Sequence, residues 1–391
     1  MQAKIVAMQK ESKTMLVTGG AGFIGSEFIR YTFLKHPSYQ IINLDKLTYA
    51  GDLFRLMKIA SNPKSNYTFV EGDITDAGFV TQLFNQYDFD YVVNFAAETH
   101  VTRSIFNPAP FMHTNIEGVR ILLNAAFHIW KEPAENGKRF LHISTDEVYG
   151  SLKKEENTFF TEKMLLQPRS PYSASKAEAD VVAHSYFSAH NVPVLITRST
   201  NNYGPWQHPE KLIPLVVSNA LEDKKGKPIP IPIHGDGRDI RDWLYVGDHC
   251  AAIDTVLHYG KPGEIYNIGS NNEVETIEVV EKILDVLNKP YSLIKFIPFR
   301  ENHDMRYAID ASKIKNDLHW EPKVSFDEGM EFTIKWYSES LSWLQKLKST
   351  SDFRNYYQKL VAGTDAEEAE EITVSNKNLK EYAYATEAAG S

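Results

Sequence analysis

The chain has 391 residues, of which 42% are hydrophobic and 24% charged, with a formal net charge of −9 and a single cysteine, Cys250. This is the balance of a globular protein long enough for one large α/β unit or two coupled ones. It excludes a nucleic-acid partner that needs a basic face, a disulfide framework or multi-cysteine zinc site, and a membrane span, since no apolar run is long enough.

The opening residues MQAKIVAMQKES carry no signal-peptide apolar core, so the expected address is the cytoplasm. Short apolar runs then alternate with longer amphipathic ones. Strands are expected at MLVT from 15, QIINLD from 40, YTFV from 67, DYVVNF from 90, RFLHIS from 139, PVLIT from 193 and EIYNIG from 264. Helices are expected at 23–36, 76–88, 113–130 and 171–190. This alternation predicts an α/β fold with a doubly wound parallel sheet covered on both faces. After residue 198 prolines and turns multiply (NNYGPWQHPEKLIP, KPIPIPIHGDG). The expected organisation is a dinucleotide-binding unit over 13–198, joined again by 264–268, and a smaller substrate-binding lobe mainly over 199–350. The stretch 362–391 is acidic and of low complexity, and is expected to be a disordered tail.

MLVTGGAGFIGSEFIR places Gly19, Gly22 and Gly25 between a strand and a helix. The first allows a tight turn, the second lets a pyrophosphate approach the backbone, and the third lets helix and strand pack closely. The phosphate then rests on the free N–H groups of the helix start. The spacing GxxGxxG is one residue longer than GxGxxG. Asp45 closes the next strand about 20 residues beyond the last glycine, where a carboxylate holds ribose hydroxyls and repels a 2′-phosphate. The expectation is a Rossmann-like fold binding NAD rather than NADP. GDI at 72–74 and NFAAETH at 94–100 follow later strands, at the same edge of the sheet.

HISTDEVYG ends a buried strand with two carboxylates side by side, Asp146 and Glu147. Adjacent like charges oppose each other's ionisation, so one is expected to be held as an acid. Elimination of water needs one acid and one base at once, and a coupled pair can supply both. A cap or turn role is the plain alternative. In SPYSASKAEAD, Ser170 and Pro171 start a helix that puts Tyr172 and Lys176 one turn apart. An ammonium beside a phenol is expected to lower the phenol from its usual pKa of about 10, and Thr145 can hydrogen-bond the same oxygen. Such a phenolate can take an alcohol proton as hydride leaves the carbon.

Together these stretches resemble the extended short-chain dehydrogenase/reductases, and among them the nucleotide-sugar 4,6-dehydratases of the dTDP-glucose 4,6-dehydratase type. The shared segments are TGGAGFIG, LDKLTYAG, AAETHVTRSI, HISTDEVYG, YSASKAEAD, NNYGPWQHPEKLIP, GDGRDIRDWLYVGDH and HDMRYAID, covering roughly residues 13 to 345. The resemblance implies oxidation of the sugar at carbon 4 by Tyr172 and NAD, with Thr145 and Lys176 in support. Glu147 then takes the carbon-5 proton, Asp146 protonates the departing carbon-6 hydroxyl, and hydride returns to carbon 6. It implies cofactor contacts from Gly19, Gly22, Phe23, Ile24, Gly25, Asp45, Lys46, Thr48, Asp73, Ile74, Ala96, Ala97, Thr114, Tyr172, Lys176 and Asn202. For the nucleotide-diphosphate sugar it implies Thr99, Thr145, Asn201, Lys211, Leu212, His234, Arg241, Arg300 and His303. It also implies a homodimer, for which helices 113–130 and 171–190 are one candidate pairing face, although they could equally just cover the sheet; no metal is expected.

Four positions depart from the family pattern. Thr102 replaces an aspartate in HVDRSI, His234 replaces the tyrosine that stacks on the base, Thr276 replaces an asparagine, and RENHD at 300–304 replaces RPGHD. The last three fall on the nucleotide side and leave thymine and uracil both open. A sugar-nucleotide 4-epimerase or decarboxylase on the same fold explains everything except Asp146 and Glu147. A non-catalytic NAD-sensing protein has no need of Tyr172 and Lys176.

Overall fold

The computed structural model describes residues 12–130, 137–224, 227–299 and 303–361. Arg300 and the acidic stretch 362–391 lie outside the described residues.

Seven apolar runs form one parallel sheet in the order Ile265–Ile268, Val194–Ser199, Arg139–Thr145, Tyr91–Asn94, Thr14–Thr18, Gln40–Asp45, Tyr67–Glu71. Inner strands are covered on both faces, so they carry near-continuous apolar sequence. Side chains still alternate between faces. Met15 and Val17 join the core under helices Phe23–Lys35 and Val246–Tyr259. Leu16 joins the core under Ala77–Gln86, Val119–Ile129 and Pro171–His190. The strand order reverses between Thr14–Thr18 and Tyr91–Asn94. At such a switch point the loops leaving the carboxyl ends diverge and open a crevice.

Helix Pro171–His190 starts as its sequence demands. Ser170 and Ser173 form a reciprocal capping box, Pro171 occupies the first turn, and Asn191 ends the helix at φ 55°. The helix expected at 113–130 is broken into Ala109–Phe111, a wide π turn over Met112–Gly118, and Val119–Ile129. Wide turns of this kind concentrate at functional sites, and apolar periodicity does not reveal them.

The chain forms two compact units. The first comprises the described residues of Met1–Trp206, Asp239–Glu275 and Asn302–Phe332; the second those of Gln207–Arg238, Thr276–Glu301 and Thr333–Ser391. The first holds the seven-stranded sheet and a three-stranded one of Glu273–Glu275, Ile240–Tyr245 and Asn201–Tyr203. The second holds the parallel pair Ile231–His234 and Ile294–Ile297 with helices Leu212–Leu221 and Thr276–Val286. The first unit thus takes in, besides the expected 264–268 return, the wider stretches Asp239–Glu275 and Asn302–Phe332. Ile265–Ile268 adds to the sheet beside Val194–Ser199, and Ile240–Tyr245 pairs with Asn201–Tyr203. The first of these is the return expected from the sequence; the second, between distant segments, leaves no mark on local composition.

Candidate active site

The glycine turn is closed on its neighbours. Gly19 has φ +68°, where a side chain is strained, and a Cβ there would lie 2.6 Å from the Ala96 nitrogen. At Gly25 a Cβ would lie 2.5 Å from the Gly19 carbonyl oxygen. Gly22 caps helix Phe23–Lys35 without any side-chain hydrogen bond, which leaves the helix N–H groups to an anion. Phe23 and Ile24 pack on the core beneath. Asp45 accepts Ala21 N–H at 2.9 Å and Leu47 N–H at 2.8 Å. Burial raises its carboxyl above the ordinary range, against those N–H bonds and Arg55. Arg55, which no sequence signal singled out, donates to the carbonyls of Ala21 and Ala50 at 2.7 Å and of Trp206 at 3.1 Å. It therefore locks the turn after the sheet.

Around this crevice Lys46 pairs with Asp73 at 3.0 Å, Asp73 also accepts Thr75 N–H at 2.9 Å, and the Thr48 carbonyl accepts Gly51 N–H at 2.9 Å. Ile74 is buried against Gly118. Ala96 N–H donates to Thr18 Oγ1 at 3.3 Å, and Ala97 is half-buried beside it. Thr114 is buried in the wide turn. Its neighbour Asn115, also unforeseen, exchanges hydrogen bonds with the Glu98 backbone at 2.8 and 3.0 Å and donates to Ser175 Oγ at 2.8 Å. Asn115 thereby ties the 95–100 loop to the helix that carries Tyr172.

The reacting groups gather at the carboxyl end of Arg139–Thr145. Thr145 caps the short 3-10 turn Asp146–Tyr149, accepting Glu147 N–H at 3.3 Å. Asp146 is 2% exposed, and its Oδ2 has no hydrogen-bond partner. Burial, then Glu147, then Asp242 push its carboxyl well above the ordinary range. Asp242 came with no sequence signal; its carboxylate accepts the Ser270 and Asn272 N–H groups at 2.9 and 2.8 Å and Ser270 Oγ–H at 2.6 Å. Glu147 is only half-buried. Two adjacent carboxyls therefore have different surroundings, one buried and held as an acid, the other half-exposed.

The phenol of Tyr172 lies near Thr145, whose hydroxyl works to lower it. Its backbone N–H donates to Ser104 Oγ at 3.1 Å, so helix Val101–Phe106, which includes Thr102, steadies the helix start. Burial, then the charge of Glu147, raise the phenol above its ordinary range. The expectation that Lys176 lowers it is not met in this state. Lys176 Nζ donates instead to the Ile143 carbonyl at 2.7 Å and lies 3.4 Å from His142 Nε2, and burial brings the amine down to about 8.

Of the expected substrate contacts, Arg241 and His303 converge on Asp239, at 3.4 Å each. Arg241 also donates to the Ile240 and Asp304 carbonyls at 2.8 Å and lies 4.6 Å over the Tyr307 ring. Tyr307, another residue missed in the sequence, donates to Asp304 Oδ2 and is raised by burial and by Glu147. Thr99 is exposed, Asn201 stands opposite Trp243, and Asn202 Nδ2 donates to the Thr200 carbonyl at 3.0 Å. These belong to the first unit. In the second unit, Lys211 precedes helix Leu212–Leu221 as its N-cap, and His234 Nδ1 donates to the Pro298 carbonyl at 2.9 Å.

A helix that delivers a phenol and an amine to the strand next to a dinucleotide crevice marks the extended short-chain dehydrogenase/reductases, and the chain falls in that class. Similarity to known proteins narrows it further. The family model described as GDP-mannose 4,6 dehydratase matches residues 16–333. The chain is 46% identical over 344 residues to the dTDP-glucose 4,6-dehydratase of Xanthomonas campestris pv. campestris (strain B100), across 85% of this chain and 95% of that one. It belongs to the dTDP-glucose 4,6-dehydratase family. The crystal structure of the Bacillus anthracis str. Ames dTDP-glucose 4,6-dehydratase in complex with NAD matches at TM-score 0.77 and 45% identity, across 86% of this chain and 100% of that one. The Streptomyces venezuelae dTDP-glucose 4,6-dehydratase, solved with NAD and TYD bound, matches at 0.78 and 43%, with the same coverage. Among the described residues no helix is long and apolar enough to cross a membrane.

Proposed function

We propose that the protein is an NAD-dependent hydro-lyase that converts dTDP-glucose to its 4-keto-6-deoxy sugar with loss of water. The observation that carries this reading is Asp146, buried with an unpartnered oxygen beside half-buried Glu147. Oxidation alone, as in an epimerase or decarboxylase, uses Thr145, Tyr172 and Lys176 and leaves that pair idle.

The residues present fit a bound dinucleotide: a Cβ at Gly19 or Gly25 would strike backbone, and the N–H groups after Gly22 have no side-chain acceptor. Bound there, NAD would supply a hydride acceptor for oxidation at sugar carbon 4 and a hydride donor for the later reduction at carbon 6. Tyr172 takes the carbon-4 hydroxyl proton, with Thr145 bonded to the same oxygen. Glu147 removes the carbon-5 proton, acidified by the adjacent ketone. Asp146 gives its proton to the carbon-6 hydroxyl, which leaves as water.

In this reading Asp45 meets the ribose, and the 46–48, 73–74 and 96–97 segments, Thr114 and Asn202 line the cofactor. Thr99, Asn201, Arg241 and His303 meet the sugar diphosphate. Lys211 and Arg300 at the diphosphate, and Leu212 and His234 on the nucleotide side, are assigned on family resemblance alone. The homodimer is assigned on family resemblance alone. A cytoplasmic address is supported by the single free cysteine, Cys250.

Incubation with dTDP-glucose and, separately, UDP-glucose without added reductant tests the proposal. Mass spectrometry is expected to show a product lighter by one water from dTDP-glucose. A product of unchanged mass with inverted carbon 4 would refute it.

A further inference from the structure

Lys176 is held from below by a line of buried polar groups that the mechanism does not use. It crosses the sheet at the switch point. Ala96 N–H donates to Thr18 Oγ1 at 3.3 Å, and Thr18 Oγ1 lies 2.5 Å from Asn94 Oδ1. Asn94 Nδ2 lies 3.2 Å from His142 Nδ1, and His142 Nε2 lies 3.4 Å from Lys176 Nζ. Thr18, Asn94 and His142 are each at most 1% exposed, so water cannot complete their bonding.

The chemistry of the groups assigns the direction of this line. A separation of 2.5 Å suits O–H···O and is too short for N–H···O. The Thr18 hydroxyl therefore donates to the Asn94 carbonyl oxygen, and the Asn94 amide NH2 faces the imidazole. An NH2 group can only donate, so His142 Nδ1 is the acceptor. Burial, and after it the nearby charges of Lys176 and Arg198, keep the ring neutral. A neutral ring with an accepting Nδ1 carries its proton on Nε2. That N–H faces Lys176 Nζ and, at 3.6 Å, Asp180 Oδ1, a buried oxygen with no hydrogen-bond partner of its own.

We propose that His142, locked by Thr18 and Asn94 as its Nε2–H tautomer, is a positioning residue that withholds a hydrogen-bond acceptor from Lys176 and so keeps this amine readily deprotonated. The inference rests on the assignment of Tyr172 and Lys176 to the oxidation step. The groups around the amine fit it. Ile143 offers one carbonyl from the strand. Asp180, on the same helix as Tyr172 and Lys176, is drawn at 2.8 Å to Arg198 of the neighbouring strand, which also donates to Tyr149. An ammonium so placed is short of acceptors, in line with an amine brought down to about 8 by burial. The line also begins at Ala96, beside the glycine turn, and thus links the dinucleotide crevice to the lysine.

Two measurements on the full-length protein decide it. The first needs no variant: 15N NMR of the His142 ring should show a pyridine-type Nδ1 and a pyrrole-type Nε2. The reverse pattern overturns the proposal. The second is the pH profile of the first half-reaction, reduction of bound NAD by dTDP-glucose in a single turnover. His142→Gln can turn an amide oxygen to the amine, and Asn94→Asp draws the imidazole proton to Nδ1. Both should move the alkaline limb up by about one pH unit, a tenfold change in proton affinity. Unmoved limbs in folded variants overturn the proposal if Lys176→Met still abolishes the step. If Lys176→Met reacts normally, the assignment of the site itself has failed.

Discussion

Replacement of Asp146 by asparagine should make the protein more stable and less active at once. Asp146 is 2% exposed, its Oδ2 has no partner, and its carboxyl is pushed up by burial, by Glu147 and by Asp242. A folded-state pKa above the unfolded value of about 3.9 means the folded protein binds the proton more tightly. Its stabilising effect is complete below that unfolded value. It is lost at about 1.4 kcal/mol per pH unit as pH rises from there to the folded-state pKa, and is flat above. The asparagine side chain is nearly isosteric, cannot ionise and carries no such slope. The replacement leaves no cavity, and its amide meets the same short supply of partners, a cost of about 1–3 kcal/mol at most. The stability difference, variant minus wild type, should therefore grow with pH from the ordinary carboxyl range upward and turn in favour of the variant. Meanwhile loss of the general acid should slow water elimination about 10²–10⁴-fold. Urea unfolding of both proteins between about pH 4 and 8 measures the first, and rapid-quench analysis of dTDP-glucose turnover the second. A stability difference independent of pH would show that Asp146 is an ordinary ionised carboxylate, and the assignment of the acid would fall with it.

Glu147→Gln should still reduce bound NAD on mixing with dTDP-glucose, seen in nicotinamide absorbance, while elimination slows about 100-fold or more; unchanged turnover would remove Glu147 as the base. Asp45→Asn should weaken NAD about 10–100-fold by calorimetry, through the ribose and the lost grip on the Ala21 and Leu47 N–H groups, and should narrow the preference over NADP. Away from the site, Lys35 and His36 each lie 2.8 Å from Asp254, with His258 at 3.3 Å. Burial works to raise this carboxyl, but bonds from His258, His36 and Lys35 hold it well below the ordinary range. Its stabilising effect is present above the unfolded pKa of about 3.9 and lost as pH falls toward the folded one, and Asp254→Ala should cost about 2–4 kcal/mol at neutral pH in urea unfolding.

The sequence by itself determined the seven apolar runs that enter the sheet, the glycine turn, the Asp45 strand end, and the pairing of Asp146 with Glu147 and of Tyr172 with Lys176. Each is written within a few residues, where strand burial, a capping box or one helical turn dictates local geometry. Only the tertiary structure decided what those groups experience. Asp242 and Tyr307 reach the Asp146–Glu147 site from distant parts of the chain, and Arg55 and Asn115 brace its loops across the sheet and the wide turn. The direction of the Tyr172 shift also ran against the local pattern: the phenol and amine share a helix face, yet burial and neighbouring carboxylates outweigh that proximity while the Lys176 amine turns to the Ile143 carbonyl. Desolvation and charge depend on everything folded around a group, and no stretch of residues read along the chain contains that information.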